Sequence, residues 1–179
     1  MKADMNQVAL WLQPEEIHLD VELRDSNHAL LFIAGAIGAH HGLEPAPIFR
    51  ALSRREQAGS TALGGGFAVP HARIPGITRP LTFLVRARHP IEFKAPDHDP
   101  VSLMLAILVP EQGDRDDHLR LLALVAELFS NPHLRTRMDR SAHPAELAES
   151  LREGIARLEG RTSVGAASRP AATRYGTNR

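Results

Sequence analysis

Val101–Val109 reads Val-Ser-Leu-Met-Leu-Ala-Ile-Leu-Val, apolar at every position but one, and Pro110 stops it. A short run with no alternation is the mark of a strand buried on both faces. Such a strand requires neighbours in a sheet and a layer of helices on each side. The chain is therefore expected to be α/β, with a mixed β-sheet sandwiched between helices on both faces. Its 179 residues suit a single domain.

The rest of the chain supplies the other elements. Ile17–Leu23 alternates, with Ile17, Leu19, Val21 and Leu23 set against His18, Asp20 and Glu22, as in a half-buried strand. Asp25 or Ser26 is placed to cap a helix over Asn27–His40. Leu30, Ile33, Ala34 and Ile37 form its apolar stripe, and Gly42 suits a left-handed C-terminal cap. Pro45 and Pro47 open a second helix, which turns Ile48, Phe49 and Leu52 inward and closes at Gly59. Two short strands, near Ser60–Leu63 and Phe67–Val69, flank three glycines that permit a tight turn at positive φ. Pro80–Arg88 alternates again, with Leu81, Phe83, Val85 and Ala87 on one side, and Ile91–Phe93 is a short strand fit to pair with it.

Beyond the central strand, Asp114, Asp116 and Asp117 suit the positive end of a helix over Asp117–Phe129. Asn131-Pro132 caps a short helix to Met138. Ser141 is expected to start a last helix carrying Leu147, Leu151, Ile155 and Leu158, with its exit at Gly160.

Composition removes several function classes. There is no cysteine, so disulfides, thiolate zinc sites and thiol catalysis are excluded. Four of the twenty-one basic residues (Arg161, Arg169, Arg174 and Arg179) lie in 161–179, which holds no acid. Seventeen against twenty-one remain, a net of −4. A body of that sign is a poor partner for nucleic acid. The segment 161–179, rich in Ala, Ser, Thr, Gly and Pro, reads as a disordered basic tail. The longest apolar stretch, Ala29–Ala39, falls short of the roughly 20 residues a bilayer span needs. No apolar signal core follows Lys2. The expectation is a cytoplasmic protein with no membrane insertion.

His71 stands apart among the ten histidines. It follows Pro70, which interrupts an ordinary central strand. It ends the apolar run Phe67-Ala-Val69, where side chains leave the sheet edge. The glycine turn before it leaves room for another molecule. Such an imidazole can serve as acid, base, nucleophile or ligand; Pro-His alone better fits a solvated loop histidine. His118 sits in a helix's first turn, whose unpartnered N–H groups hold anions and favour neutral imidazole, although an exposed first-turn residue looks the same. Arg54 and Arg55, near a helix end, offer forks matched to phosphate, or merely complement the helix dipole.

Other patterns carry less. Gly59-x4-Gly64 begins like a phosphate loop but lacks the following Gly-Lys-Ser/Thr. Neither Gly-x-Ser-x-Gly nor His-Glu-x-x-His occurs. His40 and His41 are neighbours on a helix and diverge, a poor arrangement for joint ligation. Asp97-His98-Asp99 reads as a polar loop. No metal or cofactor is expected.

Taken together, Arg55-Glu-Gln-Ala-Gly-Ser-Thr61, Gly64-x-Gly66-Phe-Ala-Val-Pro-His71, Pro90-Ile-Glu-Phe, the Leu103–Pro110 strand and His118-Leu-Arg-Leu-Leu-Ala resemble an enzyme IIA domain. The system is the phosphoenolpyruvate-dependent phosphotransferase system. The branch is the fructose/mannitol type, which includes the nitrogen-regulatory IIA protein. The resemblance covers about residues 8–158, leaving 161–179 as the tail. It implies a flanked mixed sheet, His71 as the phosphorylated nucleophile, His118 as the phosphoryl group's neighbour and Arg55 as a nearby charge stabiliser. It also implies an HPr-like phosphocarrier protein as donor. Regulatory members act on target proteins in nitrogen, potassium or carbon metabolism, whereas sugar-specific members pass the phosphate to a IIB domain for transport. With no IIB or IIC domain in the sequence, the regulatory type is expected. Two departures stand out: Gly65 where many members have Asn, and Ala72 where Gly is common.

Overall fold

The computed structural model describes residues 12–113 and 115–166, without the side chains of Arg115, Asp117, His118 and residues 159–166. Six strands and five helices follow a 3-10 turn at Pro14–Glu16. The strands are β1 (Ile17–Val21), β2 (Ala62–Gly64), β3 (Phe67–Ala68), β4 (His71–Ile74), β5 (Leu81–Ile91) and β6 (Val101–Pro110). The helices are α1 (Ser26–His41), α2 (Pro45–Gln57), α3 (Arg115–Phe129), α4 (Pro132–Arg140) and α5 (Pro144–Ala166). All lie in the expected architecture, one mixed sheet with helices on both faces.

β6 is the strand around which the sheet is built. Its even residues Met104, Ala106 and Leu108 enter one apolar cluster with Ile33, Ile37, Ile48 and Leu52 of α1 and α2. Its odd residues Leu103, Leu105, Ile107 and Val109 enter the other, with Leu121, Val125, Leu134, Leu147 and Leu151 of α3–α5. From Leu103 to Val109 the apolar run thus divides, residue by residue, between two helical layers. β5 runs antiparallel to β6 and β1 parallel to β5, while β3 and β4 run parallel to β6 on its other side.

β5 differs from its alternating sequence pattern. Leu81, Phe83, Val85 and Ala87 face the α1–α2 cluster as expected, but Thr82, Leu84 and Arg86 on the opposite face are buried too. Arg86 explains how a guanidinium is tolerated there. Its Nε and Nη2 donate to the Asp20 carboxylate at 3.0 and 3.1 Å. Its Nη1 donates to the carbonyls of Met138, Asp139 and Ser141. It satisfies the end of α4, where helix carbonyls lack intrahelical donors. Ile91 is the last residue of β5, not the start of a separate partner strand, and pairs with Val101.

Helix ends follow local chemistry. Asp25 caps α1, accepting from His28 N–H at 2.7 Å, and Gly42 closes it at φ 67°. Asn131 Oδ1 caps α4. Ser141 ends α4 instead of starting α5: its hydroxyl returns to Arg137 O at 2.9 Å. α5 continues through Gly160 to Ala166, since an interior glycine costs only about 1 kcal/mol relative to alanine. Its continuation takes in the first residues of the expected tail; 167–179 lie outside the described residues, as do 1–11. Among the described residues, no helix is long and apolar enough to cross a membrane.

Candidate functional site around His71

Pro70 interrupts the sheet without ending it. β3 pairs Phe67 with Leu103 and Ala68 with Met104; β4 pairs His71 with Ile107 and Ala72 with Leu108, in unchanged register. Pro70 O still accepts from Ile107 N–H at 2.9 Å. His71 therefore opens a strand instead of leaving the sheet, and the expectation that side chains depart there is corrected. It is only 9% exposed, so it is not a solvated loop residue. The α2 helix packs beside β4, bringing Arg55 to the imidazole.

Both ring nitrogens are engaged. Nδ1 lies 2.7 Å from Val69 O, and Arg55 Nε donates to Nε2 at 2.9 Å. A carbonyl only accepts and a guanidinium only donates. The proton must therefore sit on Nδ1, and Nε2 carries the lone pair. Burial pushes the His71 pKa below its ordinary value of 6.5, further aided by the Arg55 charge and opposed by the Val69 bond. The resting ring is neutral, with its nucleophilic nitrogen directed at an arginine.

The segment linking α2 to His71 is held by a series of hydrogen bonds. Arg55 Nη1 donates to Gly59 O at 2.8 Å. The Glu56 carboxylate accepts from Thr61 N–H at 3.1 Å and from Thr61 Oγ1 at 2.5 Å. Val69 N–H donates to Thr61 O at 3.0 Å. Ser60 Oγ donates to Phe93 O at 2.7 Å. Arg55, Glu56, Ser60 and Thr61 thus have separate jobs in one frame ending at His71.

The turn before His71 has Gly64, Gly65 and Gly66 at φ 86°, 60° and 78°, a left-handed run suited to glycine. Gly65 N–H donates to Asp97 Oδ2 at 2.6 Å. A Cβ on Gly65 would lie 1.9 Å from Arg135 Nη1. Asp97 belongs to the expected polar loop and anchors this turn.

A cleft of about 430 Å³ is lined by Ala51, Arg54, Arg55, Ala58, His71, Ala72 and Arg73. Three arginines around one neutral imidazole fit a dianionic group. No sequence motif marks Arg73. It lies two residues beyond His71, on the same strand face, and donates to Gly113 O at 2.6 Å; recognising β4 would have identified it. His118 falls in the first turn of α3, and its side chain is outside the described part. His71 pairs with Ile107, on the face that α3 covers through Leu121 and Val125, so the fold brings the start of α3 to the same side as His71. Sequence reasoning assigned no function to Glu56 or Thr61, because their roles depend on pairing across the turn.

Residues 11–154 match the family described as phosphoenolpyruvate-dependent sugar phosphotransferase system, EIIA 2. A nitrogen regulatory protein of Bradyrhizobium diazoefficiens is 31% identical over 138 residues, covering 77% of this chain and 89% of the relative. One from Klebsiella oxytoca is 32% identical over 148 residues, covering 82% and 91%. The crystal structure of nitrogen regulatory protein IIA-Ntr from Neisseria meningitidis superposes with a TM-score of 0.76 at 31% identity, covering 81% of this chain and 99% of that one.

Proposed function

The chain belongs to the EIIA 2 family of the phosphoenolpyruvate-dependent sugar phosphotransferase system, and we propose that it is a regulatory phosphocarrier whose acceptor is His71. The observation that carries this reading is the neutral imidazole with Nδ1–H bound to Val69 O and the Nε2 lone pair facing Arg55. The relatives named nitrogen regulatory protein favour the regulatory role over sugar transport.

The donor is an HPr-like phosphohistidine protein. Its phosphorus enters the arginine-lined cleft in line with His71 Nε2. Arg55 Nε–H moves from the lone pair to a phosphoryl oxygen, exposing the nucleophile as it begins to carry the arriving charge. The Nε2–P bond forms as the donor's N–P bond breaks, and the donor imidazole leaves with the electron pair. Positive charge grows on the His71 ring, and the Nδ1–H···O bond to Val69 strengthens with it. Positioning and electrostatics dominate such a transfer. Arg54, Arg73 and the start of α3 with His118 complete the electrostatic surround. The phosphoryl group adds about −1.5 to −2 charges, enough to change which surface of a target protein the site accepts.

The test is intact mass after incubation with phosphoenolpyruvate, enzyme I and an HPr-type carrier. One acid-labile phosphate on the wild type, and none on His71→Ala, is expected. Uptake by His71→Ala overturns the assignment. Capture of target proteins by only one phosphorylation state supports regulation; rapid passage to a IIB domain replaces it with the transport role.

A further inference from the structure

A second cluster of polar side chains lies away from His71. Glu16, the last residue of the 3-10 turn before β1, is 3% exposed. Its Oε1 is 3.1 Å from His41 Nε2 in the last turn of α1. That nitrogen is shut off from solvent, and the approach does not have hydrogen-bond geometry. A buried imidazole nitrogen thus faces a buried carboxylate oxygen without a directed bond. His40, exposed, stacks edge-on against His41 with ring centroids 4.8 Å apart. Donor atoms of Glu16, His40 and His41 all lie within 4.8 Å of one another.

We propose that Glu16, His40 and His41 form a binding site for a divalent transition-metal ion of the zinc class. Zinc bonds to imidazole nitrogen and carboxylate oxygen are about 2.0–2.2 Å, so donors around one tetrahedral ion stand about 3.3–3.5 Å apart. Glu16 and His41 are already that close. His40 completes the set by a side-chain rotation at the surface. Adjacent helical residues ordinarily diverge; here the last turn of the helix and the incoming Glu16 make their nitrogens converge. Two imidazoles and one carboxylate suit zinc or its neighbours over magnesium or calcium, which favour oxygen ligands. The fourth position is open to water.

Two features support the ligands. Gln13 N–H donates to the second oxygen of Glu16 at 3.0 Å, leaving Oε1 toward the histidines and fixing the carboxylate's orientation. The two histidines also stand at the C-terminal end of α1, where the helix dipole favours a cation. The ion would tie the segment ahead of β1 to the end of α1, across β5 and β6 from His71.

The test uses the full chain without a histidine tag, stripped with chelator and titrated with Zn2+ by calorimetry and with Co2+ by visible absorption. One equivalent of Zn2+ and tetrahedral Co2+ bands are expected. At a hundredfold excess over Kd, Zn2+ should raise Tm by about 5–10 °C. His40→Gln, at an exposed position that leaves the fold intact, should weaken binding about 10–100-fold or more, as should Glu16→Gln. His133→Gln and His71→Gln should leave binding unchanged. Phosphoryl uptake by metal-free His40→Gln should equal that of the metal-free wild type. No saturable single equivalent, undiminished binding in both His40→Gln and Glu16→Gln, or loss of binding with His71→Gln overturns the proposal.

Discussion

Replacing Arg55 by alanine has a cost that follows from the difference between two hydrogen bonds. In the resting protein its Nε–H donates to the neutral Nε2 of His71 at 2.9 Å. A bond between a charged and a neutral group contributes about 1.5–3 kcal/mol. During transfer the same N–H meets an ionised phosphoryl oxygen, so both partners are charged and the attraction grows. Only the increment raises the rate, because an interaction equal in ground and transition states cancels. The added charge–charge attraction is about 3–4 kcal/mol at 4–6 Å and an effective dielectric near 20, and less in a cleft open to water; an increment of about 1.5–3 kcal/mol means Arg55→Ala should slow transfer about 10–150-fold. The assay is single-turnover transfer from a phosphorylated HPr-type carrier, followed by rapid quench, with His71→Ala as the zero. Arg55→Lys should fall between wild type and alanine, since an ammonium cannot reproduce the fork that reaches both His71 and Gly59 O. An Arg55→Ala rate equal to or above wild type refutes the reasoning. The arginine would then chiefly block the lone pair it touches.

Three further outcomes are expected. Arg86→Met leaves the carbonyls of Met138, Asp139 and Ser141 without their donor and should cost about 3–5 kcal/mol, at about 1–3 kcal/mol for each buried acceptor left unpaired. Asp20→Asn, at a side chain 56% exposed, should cost under about 1 kcal/mol; equal losses in urea melts contradict this account of Arg86. Gly65→Ala forces a side chain onto φ 60° and against Arg135, for a loss of about 1–2 kcal/mol. Gly65→Asn should lose less, and the reverse order would show that strain is not the cause. Because the His71 pKa is lowered from 6.5, the unfolded chain binds a proton that the folded one refuses in the window just below 6.5. Stability should rise with pH through that window and decline as pH falls below 6.5. His71→Gln should remove that part of the slope, and an unchanged slope in denaturation curves taken across the window counts against the buried neutral ring.

Local pattern revealed most of the fold because the signals were strong and independent. The run at Val101–Val109 gave its strand and both layers, and Asp25 and Gly42 bounded α1 through capping chemistry. The failures have physical causes. From sequence Pro70 reads as a strand terminus, but a proline removes only its own donor; Pro70 O keeps its bond to Ile107, and β4 resumes in register. Missing β4 also hid Arg73. The buried outer face of β5 was not legible because Arg86 looks solvated until the end of α4 is seen to supply three carbonyls. Likewise, His40 and His41 diverge on an ideal helix, and only the tertiary return of Glu16 makes them neighbours. The combined motif singles out His71 and Arg55, and the fold brings the two side chains into contact.

The turn from β2 to β3 contains a half-made pair with a consequence for isomerism. Ala62 pairs with Ala68 in antiparallel register, which sets Thr61 opposite Val69 for a reciprocal exchange of two bonds. Val69 N–H reaches Thr61 O, but Thr61 N–H is diverted to the Glu56 carboxylate. The Val69 carbonyl remains for His71 Nδ1. A free imidazole exchanges its proton between two nitrogens and offers either to an electrophile, giving two regioisomeric phosphohistidines. Here the diverted strand bond withholds one of them. On the proposed role of His71, a single product isomer, at Nε2, is expected from a backbone amide ten residues before the histidine.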